Sequence, residues 1–418
     1  MNYIEAALEE LRNLGLYRST RLISGPQGPQ VLLDGRPVLL LCSNNYLGLA
    51  DHPRVREAAA DAAMRWGVGA GASRLVSGTM TIHGTLERRL AEFESAESCV
   101  LFGSGYLANV GVISALARRD SIVFSDALNH ASIVDGCRLA RAETFVYQHC
   151  DLDHLAWGLE KAPPGCVIVT DSLFSMTGDL APLSGIVELA ERHGARVVVD
   201  EAHAIGAMGP GGRGALAEAG LEDRVDVITG TLGKALGSYG AFVCASSEIV
   251  DYLVNSARTL IFSTAPPPPA LAGALAALEL LVEQPRRVEK LQANAALMRA
   301  ELTSAGADVP AGRTQIIPLV IGDAEATVAV SEAALAHGVF VQAIRPPTVP
   351  PGGSLLRVTL MASHTASELT RAAGVIAAAI RQTRMSFVSA GPGESSKKKR
   401  KRSRDDGDAA DSAVAHAA

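Results

Sequence analysis

The sequence predicts an α/β protein: a large domain on a mostly parallel, doubly wound sheet, followed by a smaller C-terminal α/β domain. Three observations carry this reading. Short β-branched runs recur and stop at a polar residue or a glycine, as in Val167-Ile168-Val169-Thr170-Asp171 and Val197-Val198-Val199-Asp200. Helical stretches separate them, which suits parallel strands joined by crossovers. From Arg286 to Arg381 the pattern changes to helices around a smaller set of strands. Four segments are expected: an N-terminal helix and hairpin (1–45), the large domain (46–265), the small domain (266–385) and a disordered tail (386–418).

The elements follow in order. Ile4, Leu8 and Leu11 share one face of a helix over residues 3–16. Val31 to Leu41 reads as two strands around Asp34-Gly35, a hairpin signal. Ser43-Asn44-Asn45-Tyr46-Leu47-Gly48-Leu49 has the Asn and Gly of a loop. Residues 67–79 form a Gly/Ser-rich loop ahead of a helix starting near Ile82, without the spacing of a nucleotide loop. Cys99 to Phe102 is a strand running through Gly103-Ser104-Gly105-Tyr106 into a helix. Backbone N–H groups at such a helix start make an anion site.

Further strands end near Asp126, Asp171, Asp200 and Thr229, and Phe242 to Cys244 is another. Behind these ends stand Asn129-His130-Ala131-Ser132, Phe174-Ser175-Met176-Thr177-Gly178, Glu201-Ala202-His203 and Thr231-Leu232-Gly233-Lys234. Pro266 to Pro269 cannot continue a strand and suit a first helical turn, so an Ala-rich helix starts at Ala270. In the smaller domain Ile316–Ile321, Val339–Ala343 and Leu355–Leu360 are strands, with a Pro-rich loop from Ile344 to Pro350.

In an open α/β sheet ligands bind beyond the carboxyl ends of the strands. An acid at one strand end and a lone Lys at a later one suit pyridoxal phosphate, the Lys bonding the cofactor and the Asp pairing with its ring nitrogen. Asp200 alone reads as a turn cap, and Lys234 alone as a surface lysine. Together, with His203 and Thr231 at their offsets, they read as a cofactor site.

Composition narrows the function classes. Hydrophobic residues make up 48% and charged residues 20% of 418, ordinary for a soluble enzyme. The net charge of −6 argues against a general nucleic-acid binder. The N-terminus lacks the basic and apolar regions of a signal peptide, and the longest apolar stretch is too short to span a bilayer. A soluble, cytoplasmic protein is expected. Cys42, Cys99, Cys137, Cys150, Cys166 and Cys244 show no paired spacing, so free thiols are expected and no metal site.

The motifs Val199-Asp200-Glu201-Ala202-His203, Gly212-Arg213-Gly214 and Thr231-Leu232-Gly233-Lys234-Ala235-Leu236-Gly237 resemble those of the α-oxoamine synthases. These are fold-type I pyridoxal-phosphate enzymes that join an amino acid to an acyl thioester with loss of carbon dioxide. The resemblance runs from about Leu16 to about Arg381. It implies that Lys234 holds the cofactor and acts as general base. It further implies that Asp200 keeps the ring nitrogen protonated, His130 stacks on the ring, and His203 and Ser175 hold the phenolic oxygen. Ser104, Gly105 and Tyr106 would form the phosphate cup, with Thr231 beside the lysine. Thr264 would reach the partner subunit's phosphate, which implies a homodimer. Arg357 and Asn44 would bind the amino acid.

Arg18 fits the family position that reaches the acyl substrate, although an N-terminal Arg is more often a solvated charge. The segment Ala343 to Pro350 most resembles the branch that uses L-alanine and a pimeloyl thioester, the thiol carrier being coenzyme A or a carrier protein. Thr348 and Arg345 would then lie near the substrate. Glycine-using relatives are the alternative. An ordinary aminotransferase would share Asp200 and Lys234, but not the Asn129–Ser132 and Phe174–Gly178 motifs. A cofactor-binding regulator would use the basic run Lys397 to Arg402 on nucleic acid; a solvated tail is the plainer reading.

Overall fold

The computed structural model describes residues 2–389. Helix Ala366–Ser389 runs past residue 386, where the tail was expected to begin. The basic run Lys397 to Arg402 lies outside the described residues. The chain enters through helix Tyr3–Asn13, capped by the Asn2 side chain and with no buried residue. Strands β1 (Ile23–Ser24), β2 (Gln30–Leu33) and β3 (Arg36–Leu40) follow. The turn between β2 and β3 holds Asp34 at φ 49° and Gly35 at φ 80°, the left-handed pair that two-residue hairpins require.

β4 (Ser98–Phe102), β5 (Ile122–Asp126), β6 (Glu143–Tyr147), β7 (Val167–Asp171), β8 (Arg196–Asp200), β9 (Val227–Thr231) and β10 (Ala241–Ala245) form one sheet, in the order β4-β10-β9-β8-β7-β5-β6. From β9 to β6 every pairing is parallel. β10 runs antiparallel between β4 and β9. All five residues of β7 are buried, as helices on both faces of a sheet demand. Each such Val or Ile contributes roughly 1.5–3 kcal/mol of burial. Sequence patterning did not find β6. As an edge strand it leaves Glu143, Thr144 and Val146 exposed, and its apolar run is only Phe145 to Tyr147, too short to stand out.

β11 (Ile316–Gly322), β12 (Val339–Phe340), β13 (Gln342–Ile344) and β14 (Ser354–Thr359) complete the fold. The one strand expected over Val339–Ala343 is two. β12 pairs in parallel with β3, β13 pairs with β14, and buried Val341 stands between them. The chain changes sheets there, so the N-terminal hairpin shares a sheet with the C-terminal part. Two further bonds bring the segment after β3 against β14: Thr359 N–H donates to Leu41 O at 2.8 Å and Thr359 Oγ1 to Ser43 O at 2.9 Å. That seam sets Asn44 beside Arg357. Among the described residues no helix is long and apolar enough to cross a membrane. All six cysteines are free thiols.

Candidate active site

The carboxyl ends of the parallel strands gather the polar residues. Asp171 and Asp200 are direct neighbours across β7 and β8. Asp200 Oδ2 accepts from Asn109 Nδ2 at 2.6 Å, and its Oδ1 accepts from Ala202 N–H at 2.8 Å. Asn109 Oδ1 also accepts from Thr229 Oγ1 at 3.0 Å. Helix Gly105–Leu116 is thereby tied to the end of β8 and to the middle of β9. Its N-cap Ser104 accepts from Leu107 N–H at 3.3 Å. The first-turn N–H groups of Gly105 and Tyr106 have no intrahelical partner by geometry, which suits an anion. Tyr106 itself donates its hydroxyl to the Asp135 carboxylate.

A second set of bonds runs from the lysine to the arginine. Lys234 Nζ lies 2.8 Å from His203 Nε2, and His203 Nδ1 lies 2.7 Å from the Tyr46 hydroxyl. Tyr46 donates to Asn44 Oδ1 at 3.2 Å. Arg357 donates from Nη1 to Asn44 Oδ1 at 3.2 Å, from Nη2 to the Tyr46 hydroxyl at 3.4 Å, and from Nε to Ser175 O. Burial, with the charges of Lys234 and Arg357, holds the His203 imidazole well below its usual range, so the ring is neutral. Lys234 then donates into Nε2, which places the ring proton on Nδ1, facing Tyr46. Burial pushes the Lys234 amine down to about 8, against the pull of Asp200 and Asp171.

The lysine loop is fixed on both sides. Thr231 Oγ1 accepts from Gly233 N–H at 3.1 Å and donates to Gly240 O at 3.2 Å. Gly237 has φ 60°, and a Cβ there would stand 2.4 Å from Ala50 N. His130 comes from the β5 side. Its N–H donates to Asp171 Oδ2 at 2.8 Å, and its Nδ1 lies 2.7 Å from Ser132 Oγ, which accepts from Asn109 Nδ2 at 2.9 Å. Burial and the Asp200 charge push the Asp171 carboxyl well up.

The structure therefore joins Lys234, His203, Asn44, Arg357 and Ser175 in one hydrogen-bonded set. Asp200 and His130 join a second set through Asn109 and Ser132, and Ser104 caps the helix that carries Asn109. Arg18 and Thr348 stand elsewhere, on a cavity of about 480 Å³ that Arg345 also lines. Arg18 donates to Pro346 O at 3.0 Å, closing the N-terminal segment onto the Pro-rich loop. Thr264 is exposed and bridges to Ser73 of the Gly-rich loop. Sequence reasoning missed Tyr46, Asn109 and Asp171. Tyr46 lay inside a motif already singled out, and Asp171 ended a strand already drawn.

These groups fit pyridoxal phosphate. A lysine amine shifted toward neutrality can bond an aldehyde carbon. A buried carboxylate faces the same strand edge, and a capped helix start presents N–H groups for a phosphate.

Comparison with known proteins agrees. Residues 36–376 match the family model for class I and II aminotransferases. The 8-amino-7-oxononanoate synthase of Citrifermentans bemidjiense is 53% identical over 374 residues, covering 88% of this chain and 96% of the relative. That of Geobacter sulfurreducens is 50% identical over 378 residues, covering 90% and 97%. Among solved structures, Sphingomonas wittichii serine palmitoyltransferase superposes with a TM-score of 0.87 at 32% identity, covering 92% of this chain and 98% of that one. The 8-amino-7-oxononanoate synthase from Francisella tularensis gives 0.71 at 25% identity, covering 82% and 98%.

Proposed function

We infer the reaction from one premise: this chain belongs to the class I and II aminotransferase family and, within it, to the α-oxoamine synthases. It is a pyridoxal-phosphate-dependent acyltransferase of biotin biosynthesis. It condenses L-alanine with a pimeloyl thioester to give 8-amino-7-oxononanoate, carbon dioxide and the free thiol. The observation that supports this most is the identity of about half of all residues, over nearly full length, to enzymes of that name.

Bound pyridoxal phosphate supplies an electron sink for the α-carbon of the amino acid. The protein's residues do the rest. Lys234 holds the cofactor and moves the proton at the α-carbon; an amine brought near neutral pH suits that transfer. Asp200, held by Asn109 and the Ala202 N–H, keeps a proton on the ring nitrogen. His130 covers the ring, and Ser175 and His203 hold the phenolic oxygen. Ser104, Gly105, Tyr106 and Thr231 hold the phosphate. Thr264 reaches the partner subunit's phosphate in a homodimer. Arg357 takes the amino-acid carboxylate with Asn44 at its side, a job for a planar, multiply donating cation. Arg18 and Thr348 face the acyl substrate. The enzyme works in the cytoplasm.

The test is turnover of the cofactor-loaded protein with a pimeloyl thioester and, in separate reactions, L-alanine, glycine and L-serine, followed by product mass. L-alanine should be used in clear preference. Preference for glycine or serine would move the chain to another branch of the family.

A further inference from the structure

His149 is used by nothing in the reaction described above, yet it lies between two loops of the site. Its Nδ1 is 2.8 Å from Asp126 Oδ1 and its Nε2 is 2.5 Å from Asp179 Oδ2. Both nitrogens face carboxylates, so both must carry protons for both contacts to be hydrogen bonds. Burial opposes the charge, but the bonds to Asp126 and Asp179 outweigh it and raise the imidazole to about 12. The ring also meets Phe174 edge-on, with centroids 4.4 Å apart.

Each carboxylate organises a different loop. Asp126 ends β5. Its Oδ1 accepts from Leu128 N–H at 2.8 Å and its Oδ2 from Cys150 N–H at 2.8 Å, while its carbonyl accepts from Asn129 N–H at 3.1 Å. That turn delivers His130. Asp179 closes the loop that carries Ser175. Its carbonyl accepts from Phe174 N–H at 3.0 Å, and its Oδ1 accepts from Thr177 Oγ1. Ser175 O in turn receives Arg357 Nε. The trio Asp126, His149 and Cys150 lies within 4.8 Å, but with both ring nitrogens engaged by carboxylates it reads as a clamp rather than a cation site.

We propose that His149 is a positioning residue: as an imidazolium it pins the Ser175 loop to the His130 loop, and through Ser175 O it aims Arg357 at the amino-acid carboxylate. The proposal rests on the assignment of Arg357 to that carboxylate. Breaking the clamp frees the Ser175 turn, and the loss falls on amino-acid binding rather than on acyl binding.

The experiment compares the cofactor-loaded wild type with His149→Gln and Asp179→Asn. Asp179 is half-exposed, so its amide variant keeps the protein folded if His149→Gln does not. Amino-acid affinity is read from the cofactor's absorbance change, and the KM for the thioester from turnover. Loss of a charge-assisted bond predicts an amino-acid Kd raised about tenfold in either variant, with the thioester KM unchanged. The two changes combined should raise it no further, because each breaks the same clamp. A lowered melting temperature with unchanged amino-acid Kd in Asp179→Asn overturns the proposal, as does an equal rise in both constants. If the wild type prefers glycine to L-alanine, the substrate reading fails. The clamp is then judged by the glycine Kd.

Discussion

Tyr46→Phe removes one oxygen from the centre of the site and leaves the ring that fills the space. Tyr46 has no exposed surface, and its hydroxyl meets His203 Nδ1 at 2.7 Å, Asn44 Oδ1 at 3.2 Å and Arg357 Nη2 at 3.4 Å. Two of these partners keep other bonds. Asn44 Oδ1 still accepts from Arg357 Nη1, and Arg357 Nε still reaches Ser175 O. His203 Nδ1 does not: the residue is 5% exposed, and among the described residues the other hydrogen bond of its ring is Nε2 to Lys234. The expected cost is that of one orphaned buried donor, about 1–3 kcal/mol. Urea unfolding of the cofactor-free protein, in which Lys234 still meets His203, should show a lower midpoint at an unchanged slope. A loss below roughly 0.5 kcal/mol, the scatter of neutral surface changes, would refute the claim that Tyr46 holds the His203 proton on Nδ1.

Two further outcomes follow from the same geometry. In cofactor-free protein the Lys234 amine is lowered from 10.5 to about 8, so the unfolded chain binds more protons between those values. Its contribution to stability therefore rises as pH rises from about 8 to 10.5; this rise should be lost in Lys234→Met when unfolding midpoints are compared across that window. Gly237→Ala puts a Cβ 2.4 Å from Ala50 N at φ 60°, which should cost about 1–3 kcal/mol of stability and weaken cofactor retention on gel filtration.

Much of the site was legible because its residues end strands. A strand covered on both faces is written as an apolar run, and its last residue marks where the edge of the sheet begins, as at Asp126, Asp171 and Asp200. What stayed hidden was pairing. Nothing local in Ala241–Ala245 says that it slots antiparallel between β4 and β9. Nothing local in Val339–Ile344 says that it divides between two sheets. The roles of Tyr46 and His149 were hidden for the same reason. Tyr46 meets His203 across 157 residues, and His149 joins carboxylates 23 and 30 residues away, so their roles exist only once the strands are stacked.

The central claim is tested most directly by the visible absorbance of the purified, cofactor-loaded protein titrated with L-alanine and then with glycine. The account predicts a cofactor band that is absent in Lys234→Ala and that L-alanine perturbs at lower concentration than glycine. A protein that binds no cofactor, or one whose band glycine perturbs first, would contradict it.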